Sequence, residues 1–163
     1  MKQAIRKTAP ILLATLALVG LFMVIPSQIV AASPFDSLLG TWRGSGTMRL
    51  KSGTERLSCN AYYTGGGKQL GLAIRCTSSK SGKVEIRSKL SLSGNRLSGN
   101  WEERTYNASG AASGTANPGR LSIRVSGTVR GSMVVNYSKS SQSVSISTSG
   151  TALQGVSIRL TRS

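Results

Sequence analysis

The chain has 163 residues, with 21 Lys and Arg against 5 Asp and Glu and no histidine, for a formal net charge of +16. The missing imidazole excludes Ser-His-Asp and Cys-His triads and histidine-ligated zinc or haem, because each needs it as base or ligand. The charge favours an anionic partner and keeps the protein soluble, and the length suits one domain behind a leader.

At the N-terminus Lys2, Arg6 and Lys7 form a positive region, and Ile11 to Ile25 is apolar and uncharged. Pro26 breaks that stretch, and Val30-Ala31-Ala32 places a small residue before a cleavage point and a small β-branched one two residues earlier. The pattern predicts a signal helix removed after Ala32. Its apolar run is too short for a comfortable span of a ~30 Å hydrocarbon core, and no cysteine follows it to carry a lipid. The expected organisation is a cleaved signal peptide over 1–32 and a single β-barrel domain over 33–163. The mature protein is then periplasmic or secreted and not membrane-spanning.

Beyond residue 33 no segment repeats its apolar residues every 3.6 positions. Alternation of period two recurs instead, broken by Gly, Ser and Asn. It predicts strands over Gly40–Leu50, Glu55–Tyr63, Gln69–Thr77, Val84–Leu92, Arg96–Asn107, Leu121–Thr128, Ser132–Ser138, Ser143–Thr148 and Gly155–Thr161. The Gly-, Ala- and Ser-rich Ala108–Gly119 reads as the one long loop. Short turns make consecutive strands antiparallel neighbours, and eight or nine of them close into a meander barrel, which removes exposed edges; a β-sandwich is the alternative. Trp42, Gly44, Gly46, Met48 and Leu50 share one face of the first strand, while Arg43, Ser45, Thr47 and Arg49 share the other. Val84, Ile86, Leu90 and Leu92 likewise oppose Glu85, Arg87 and Lys89, and Leu121, Ile123 and Val125 oppose Arg124. Pointing inward, the apolar faces fill the barrel, and Arg43, Arg49, Arg87, Lys89 and Arg124 stand on its outer wall. The aromatics after residue 32 are scattered and form no girdle of the outer-membrane kind.

Cys59 and Cys76 are the only cysteines. In an oxidising compartment such a pair forms one disulfide. A hairpin turning through Gly65–Gly67 that sets Cys59 opposite Cys76 also sets Ala61 opposite Ile74, Tyr63 opposite Leu72, Leu57 opposite Ser78 and Glu55 opposite Lys80. Redox chemistry is disfavoured, since there is no C-x-x-C. Glu102 and Glu103 are adjacent on a strand and point to opposite faces, so they make no acid–base pair. Gly65-Gly66-Gly67-Lys68 lacks P-loop spacing and is a turn. Nothing implies a cofactor, a metal or a catalytic residue, and the protein is expected not to be an enzyme.

Phe35-Asp36-Ser37-Leu38-Leu39-Gly40-Thr41-Trp42-Arg43, with its Gly-x-Trp opening the first strand, resembles the start of calycin barrels: lipocalins, fatty-acid-binding proteins and nitrobindin-like domains. That resemblance implies a Trp closing one barrel end with an Arg of the last strand packed on it. Ile158-Arg159-Leu160-Thr161-Arg162 supplies two such arginines. Parity puts Arg162 on the inner face with Trp42, and Arg159 inward only if the lumen is polar. The haem-ligating histidine of nitrobindin-like proteins has no counterpart here. Trp101-Glu102-Glu103-Arg104-Thr105-Tyr106-Asn107 resembles a stretch of small exported proteins from rhizobia-like bacteria, a resemblance that brings no activity with it.

The leading expectation is a non-enzymatic binding barrel of the cell envelope that holds an apolar or amphipathic anionic ligand, with Trp42, Arg159 and Arg162 as ligand-binding candidates. Gly44 and Gly46 either make room for that ligand or let the strand bend. The second expectation is a packed barrel whose outer Arg43, Arg49, Arg87, Lys89 and Arg124 bind an envelope polyanion: lipopolysaccharide, acidic polysaccharide or lipid headgroups. No specific nucleic acid is implied. A cavity of roughly 300 Å³ or more favours the first; a filled lumen favours the second. Edman sequencing of the exported protein is expected to begin at Ser33; a mature chain that retained Lys2 would refute the leader.

Overall fold

A computed structural model describes residues 32–163; the predicted signal helix lies outside the described residues. Ten strands follow one another along the chain: β1 (Gly40–Leu50), β2 (Gly53–Gly66), β3 (Gln69–Ser78), β4 (Gly82–Ser93), β5 (Arg96–Glu103), β6 (Ala108–Asn117), β7 (Arg120–Val125), β8 (Arg130–Tyr137), β9 (Ser141–Ser149) and β10 (Leu153–Arg162). Each pairs antiparallel with the next, and β10 pairs with β1, closing an all-β meander barrel of calycin-like form. Closure leaves no unpaired edge.

The barrel has one strand more than the eight or nine expected, and the extra strand is β6. Its sequence, ASGAASGTAN, contains neither large apolar nor aromatic residues and composes like a loop. Its register is nonetheless that of a strand: Ala108, Ala112 and Ala116 are buried on the inner face, with Gly110 and Gly114 between them. The expected long strand over Arg96–Asn107 stops at Glu103, because Arg104–Asn107 is the turn into β6, with Asn107 at φ 53°.

The inner glycines serve closure and not the cavity. A methyl group on Gly44 meets the Arg159 carbonyl oxygen at 2.0 Å, and one on Gly110 meets that of Ser126 at 1.7 Å. At these seams neighbouring backbones crowd the inner face, a place only glycine fits. The Gly44 contact lies at the β1–β10 seam, and the Gly110 contact lies on the β7 side of β6, where Ser126 continues past the end of β7.

The core is the apolar set that alternation places inward. Trp42, Ala61, Leu121, Val135 and Val144 are wholly buried, and their partners in register alternate with Arg, Ser, Thr and Asn outside. The disulfide joins Cys59 to Cys76 directly across β2 and β3, with Ala61 opposite Ile74 and Tyr63 opposite Leu72 as the hairpin register requires. Closing its 17-residue separation stabilises the barrel by ~3 kcal/mol through lost chain entropy. Glu55 does not form the expected contact with Lys80. Its carboxylate accepts instead from the hydroxyls of Ser78 and Ser81 and from the Ser81 N–H.

Gly44→Ala forces a carbon into the β10 backbone and is expected to destabilise by about 1–3 kcal/mol in urea unfolding, as overpacking does. Ser45→Ala, on the outer face of the same strand, should stay within roughly 0.5 kcal/mol.

Candidate functional site

One end of the barrel is plugged. Residues after Pro34 fold into a single turn, in which the Leu38 and Leu39 N–H groups donate to the Phe35 carbonyl at 2.7 and 3.1 Å. Phe35 and Leu38 are fully buried by it. The Trp42 indole N–H donates to the Leu38 carbonyl at 2.8 Å, and the Tyr137 hydroxyl donates to that of Pro34. Arg162, the last residue of β10, lays its guanidinium 4.4 Å from the centre of the Trp42 ring. The same group donates to the carbonyls of Leu39 at 2.6 Å, Lys139 at 2.8 Å and Ser37. One arginine thus ties the first strand, the plug and the β8–β9 turn together. Beneath this plug Gln142 donates to the Tyr63 hydroxyl at 2.6 Å, and burial pushes the Tyr63 phenol well above its ordinary range.

The other end is hollow. A cavity of about 440 Å³ runs inward from the turns at Ser81, Tyr106, Val129 and Thr151. Its wall includes Met48, Leu57, Leu72, Ile74, Ala112, Ile123, Met133 and Ile158. The asymmetry follows from side-chain size. Phe35, Trp42, Tyr63 and Tyr137 gather at the plugged end, whereas the hollow end is lined by Ala108, Ala112, Cys76, Val84, Val125 and Val156. Trp101 lines the cavity and fixes its indole by donating to the Ser126 carbonyl at 3.0 Å. Tyr106 stands at the rim, 66 % exposed.

No Lys or Arg is among the lining residues; the ionisable side chains there are Glu103 and Tyr106. Glu103 is buried, and its carboxylate accepts from the N–H groups of Glu85 at 3.1 Å, Thr105 at 3.0 Å and Tyr106 at 2.6 Å. It therefore holds the β5–β6 turn in shape and has few lone pairs left for a ligand.

The sequence-derived candidates fall into three places. Trp42 and Arg162 meet each other at the plugged end, outside the cavity wall. Arg159 is on the outer face of β10, with Ser45 and Ser143 beside it in register. Arg43, Arg49, Lys89 and Arg124 are all exposed outside. Arg87 is partly drawn into a cluster in which Glu85 receives Arg87 at 2.5 Å and Arg75 at 3.1 Å, with Lys83 at 3.9 Å. Partial burial alone raises the Glu85 carboxyl, but the two arginines outweigh it and hold the group below its ordinary value. The cavity residues were missed in the sequence because inward alternation marks a core position without saying whether the core is filled. The one usable signal was the run of Ala and Gly in β6.

Solved structures share this architecture. The M. tuberculosis protein Rv2717c is 15 % identical, with a TM-score of 0.66 over 81 % of this chain and 98 % of that one. The S-type phycobiliprotein lyase CPES of Guillardia theta is 9 % identical, with a TM-score of 0.51 over 78 % of this chain and 88 % of that one. These are likenesses of fold. No protein-family profile matches the sequence, and no curated protein matches it either.

A double-mutant cycle with Trp42→Leu and Arg162→Met is expected to give a coupling of about 0.5–2 kcal/mol in unfolding free energy. The cycle with Arg159→Met should give none. Equal coupling to both arginines would contradict the geometry at the plugged end.

Proposed function

We propose that this protein is a non-enzymatic binding protein, exported to the periplasm or beyond the cell, that carries a small, uncharged, mostly apolar molecule in its lumen. The observation that carries this reading is the cavity: about 440 Å³, lined almost throughout by aliphatic side chains and open at one end only. That volume suits a small-molecule site. The anionic head group first expected has no basic partner in the lining, so the ligand is taken to be neutral. Any polar end it has lies at the mouth, where Ser81, Thr148 and Thr151 line the opening. The Cys59–Cys76 bridge fits an oxidising compartment, and the leader read in the sequence supports export.

The carboxylates support a binding role over catalysis. Glu103 is taken up by three backbone N–H groups, Glu85 by three cations and Glu55 by two serines. Glu103 borders the lumen, but its carboxylate is engaged by three N–H donors.

The test uses the two lumen-facing features as reporter and block. A neutral apolar fluorophore such as N-phenyl-1-naphthylamine is expected to brighten on binding and to take energy from Trp101. Ala112→Phe, which fills the wall of the cavity, should weaken that binding by on the order of tenfold or more while the far-ultraviolet circular dichroism stays that of the parent; losing a well-fitted contact region of ~1.4 kcal/mol suffices. Ile123→Ala, which enlarges the cavity, guards against misfolding as the explanation and should still bind. Unchanged binding in Ala112→Phe would sink the lumen as the site.

A further inference from the structure

The five acids sit at residues 36, 55, 85, 102 and 103. None lies on β6 to β10 or on β1. The adjacent strands β1, β10, β9, β8 and β7 therefore form an outer wall with no negative charge of its own. Arg43, Arg49, Arg120, Arg124, Arg130 and Arg159 are exposed on it, and no ion pair among the described residues involves any of them. Between the arginines the wall is a field of small polar side chains, with Ser141, Ser143, Ser145 and Ser147 along β9 and Ser157 and Thr161 on β10.

Part of this wall is a groove of about 600 Å³ lined by Arg43, Ser45, Asn136, Ser141, Ser143 and Arg159, among others. The strand register shows how it is built. Gly44, Leu160, Gln142 and Tyr137 are successive partners across β1, β10, β9 and β8, and as inward-facing residues they give the groove a backbone floor. One bank is the row Arg43, Thr161, Ser141; the other is Ser45, Arg159, Ser143, Asn136. The trough crosses the strands, with one arginine on each bank. Being diagonal neighbours on β1 and β10, Arg43 and Arg159 have backbones about 7–8 Å apart. Further along the second bank Arg120 follows Asn136 in register and is held by it at 2.7 Å.

We infer that this groove binds a stretch of acidic polysaccharide, with a carboxylate or sulfate taken by Arg43 and Arg159 and sugar hydroxyls taken by the serine and asparagine rows. Arginine forks match such anions in bidentate geometry. The sparse cations set among many hydroxyls fit a chain whose charges alternate with hydroxyls better than they fit a dense polyphosphate. No aromatic side chain projects from these strands on the outer side, so the stacking that holds single-stranded nucleic acid is missing. The wall also lacks the large apolar side chains that anchor a protein in the headgroup layer. Strands spaced about 4.8 Å apart repeat the hydroxyls at close to the rise of one pyranose in an extended chain.

The test measures affinity of the full exported protein for immobilised polygalacturonate at fixed salt. R43A/R159A is expected to lose on the order of tenfold or more, as the loss of charge-assisted bonds implies. K89A/R96A removes the same charge from the strands across the ring and should change affinity less than about threefold, the effect of net charge alone. R43K/R159K keeps the charge without the fork and should fall between them. Equal losses in both alanine pairs would reduce the groove to bulk charge and overturn the site. Binding to phosphatidylglycerol vesicles with no binding to the polyuronate would overturn the ligand class. All of these variants lie outside the lumen, so an intact apolar cavity has no bearing on the outcome.

Discussion

The structure depends on one arginine that has no acid to pair with. Arg162 stacks on Trp42 and spends its N–H groups on the carbonyls of Ser37, Leu39 and Lys139. A cation satisfied by three carbonyls and an aromatic face is held as firmly as one in an ion pair, and the five donors of a guanidinium make that possible where an ammonium falls short. Beside it the plug turn is held by the Trp42 and Tyr137 bonds, the Ser33 bond to the Gly67 carbonyl and the buried Phe35 and Leu38 side chains. Because β10 and β1 are neighbours, the same contact also fastens the last strand to the first, the step that turns a sheet into a closed barrel.

Sealing one end determines what the other end is for. A barrel of ten strands has more interior than small side chains fill. Four large rings fill the plug end, whereas the aliphatic side chains around the other end, with Ala108 and Ala112 among them, do not meet across it. Empty apolar volume costs stability, by roughly 24 cal/mol for each Å³ left behind when side chains are removed. A cavity of this size therefore has a cost that calls for a reason, and the Cys59–Cys76 bridge lies along its wall.

Much of this was legible in the sequence, and the failures have a single cause. Alternation placed Trp42, Cys59, Ile74 and Leu160 on the inner face and Arg43, Arg124 and Arg159 on the outer one, because side-chain direction in a strand is fixed by parity alone. Hairpin register followed from Cys59 and Cys76 because one constraint sets every pair in a two-stranded ladder. Size was what parity could not convey. The residues of β6 are small enough to compose like a loop, though they alternate as strictly as any. Gly44 and Gly46 left open two readings, room or bending, until the Arg159 and Ser157 carbonyls were seen within 2.2 Å of where their side chains would begin. The cavity was hidden for the same reason, being set by the sum of many small differences in volume.

Charge is partitioned as sharply as size. The plug end is latched chiefly through backbone carbonyls and an indole, with one carboxylate, Asp36, accepting from the Ser33 N–H within the turn. Glu55, Glu85 and Glu103 instead lie on β2 to β5 toward the open end, beside the turns that shape the mouth. Hydrogen bonds from Ser78 and Ser81 hold the Glu55 carboxyl below its ordinary 4.5, and Arg87 and Arg75 overcome the burial of Glu85 to the same effect. A carboxyl with a depressed folded value contributes its full stability above the unfolded value and gives it up as pH falls through the folded one. Falling pH therefore withdraws stability from the turns around the mouth. Keeping acids off β6 to β10 and β1 has a second consequence. The arginines of that wall form no ion pair among the described residues, while no Lys or Arg lines the lumen. The two sites proposed above, an apolar lumen and a basic outer groove, thus lie on opposite faces of one sheet.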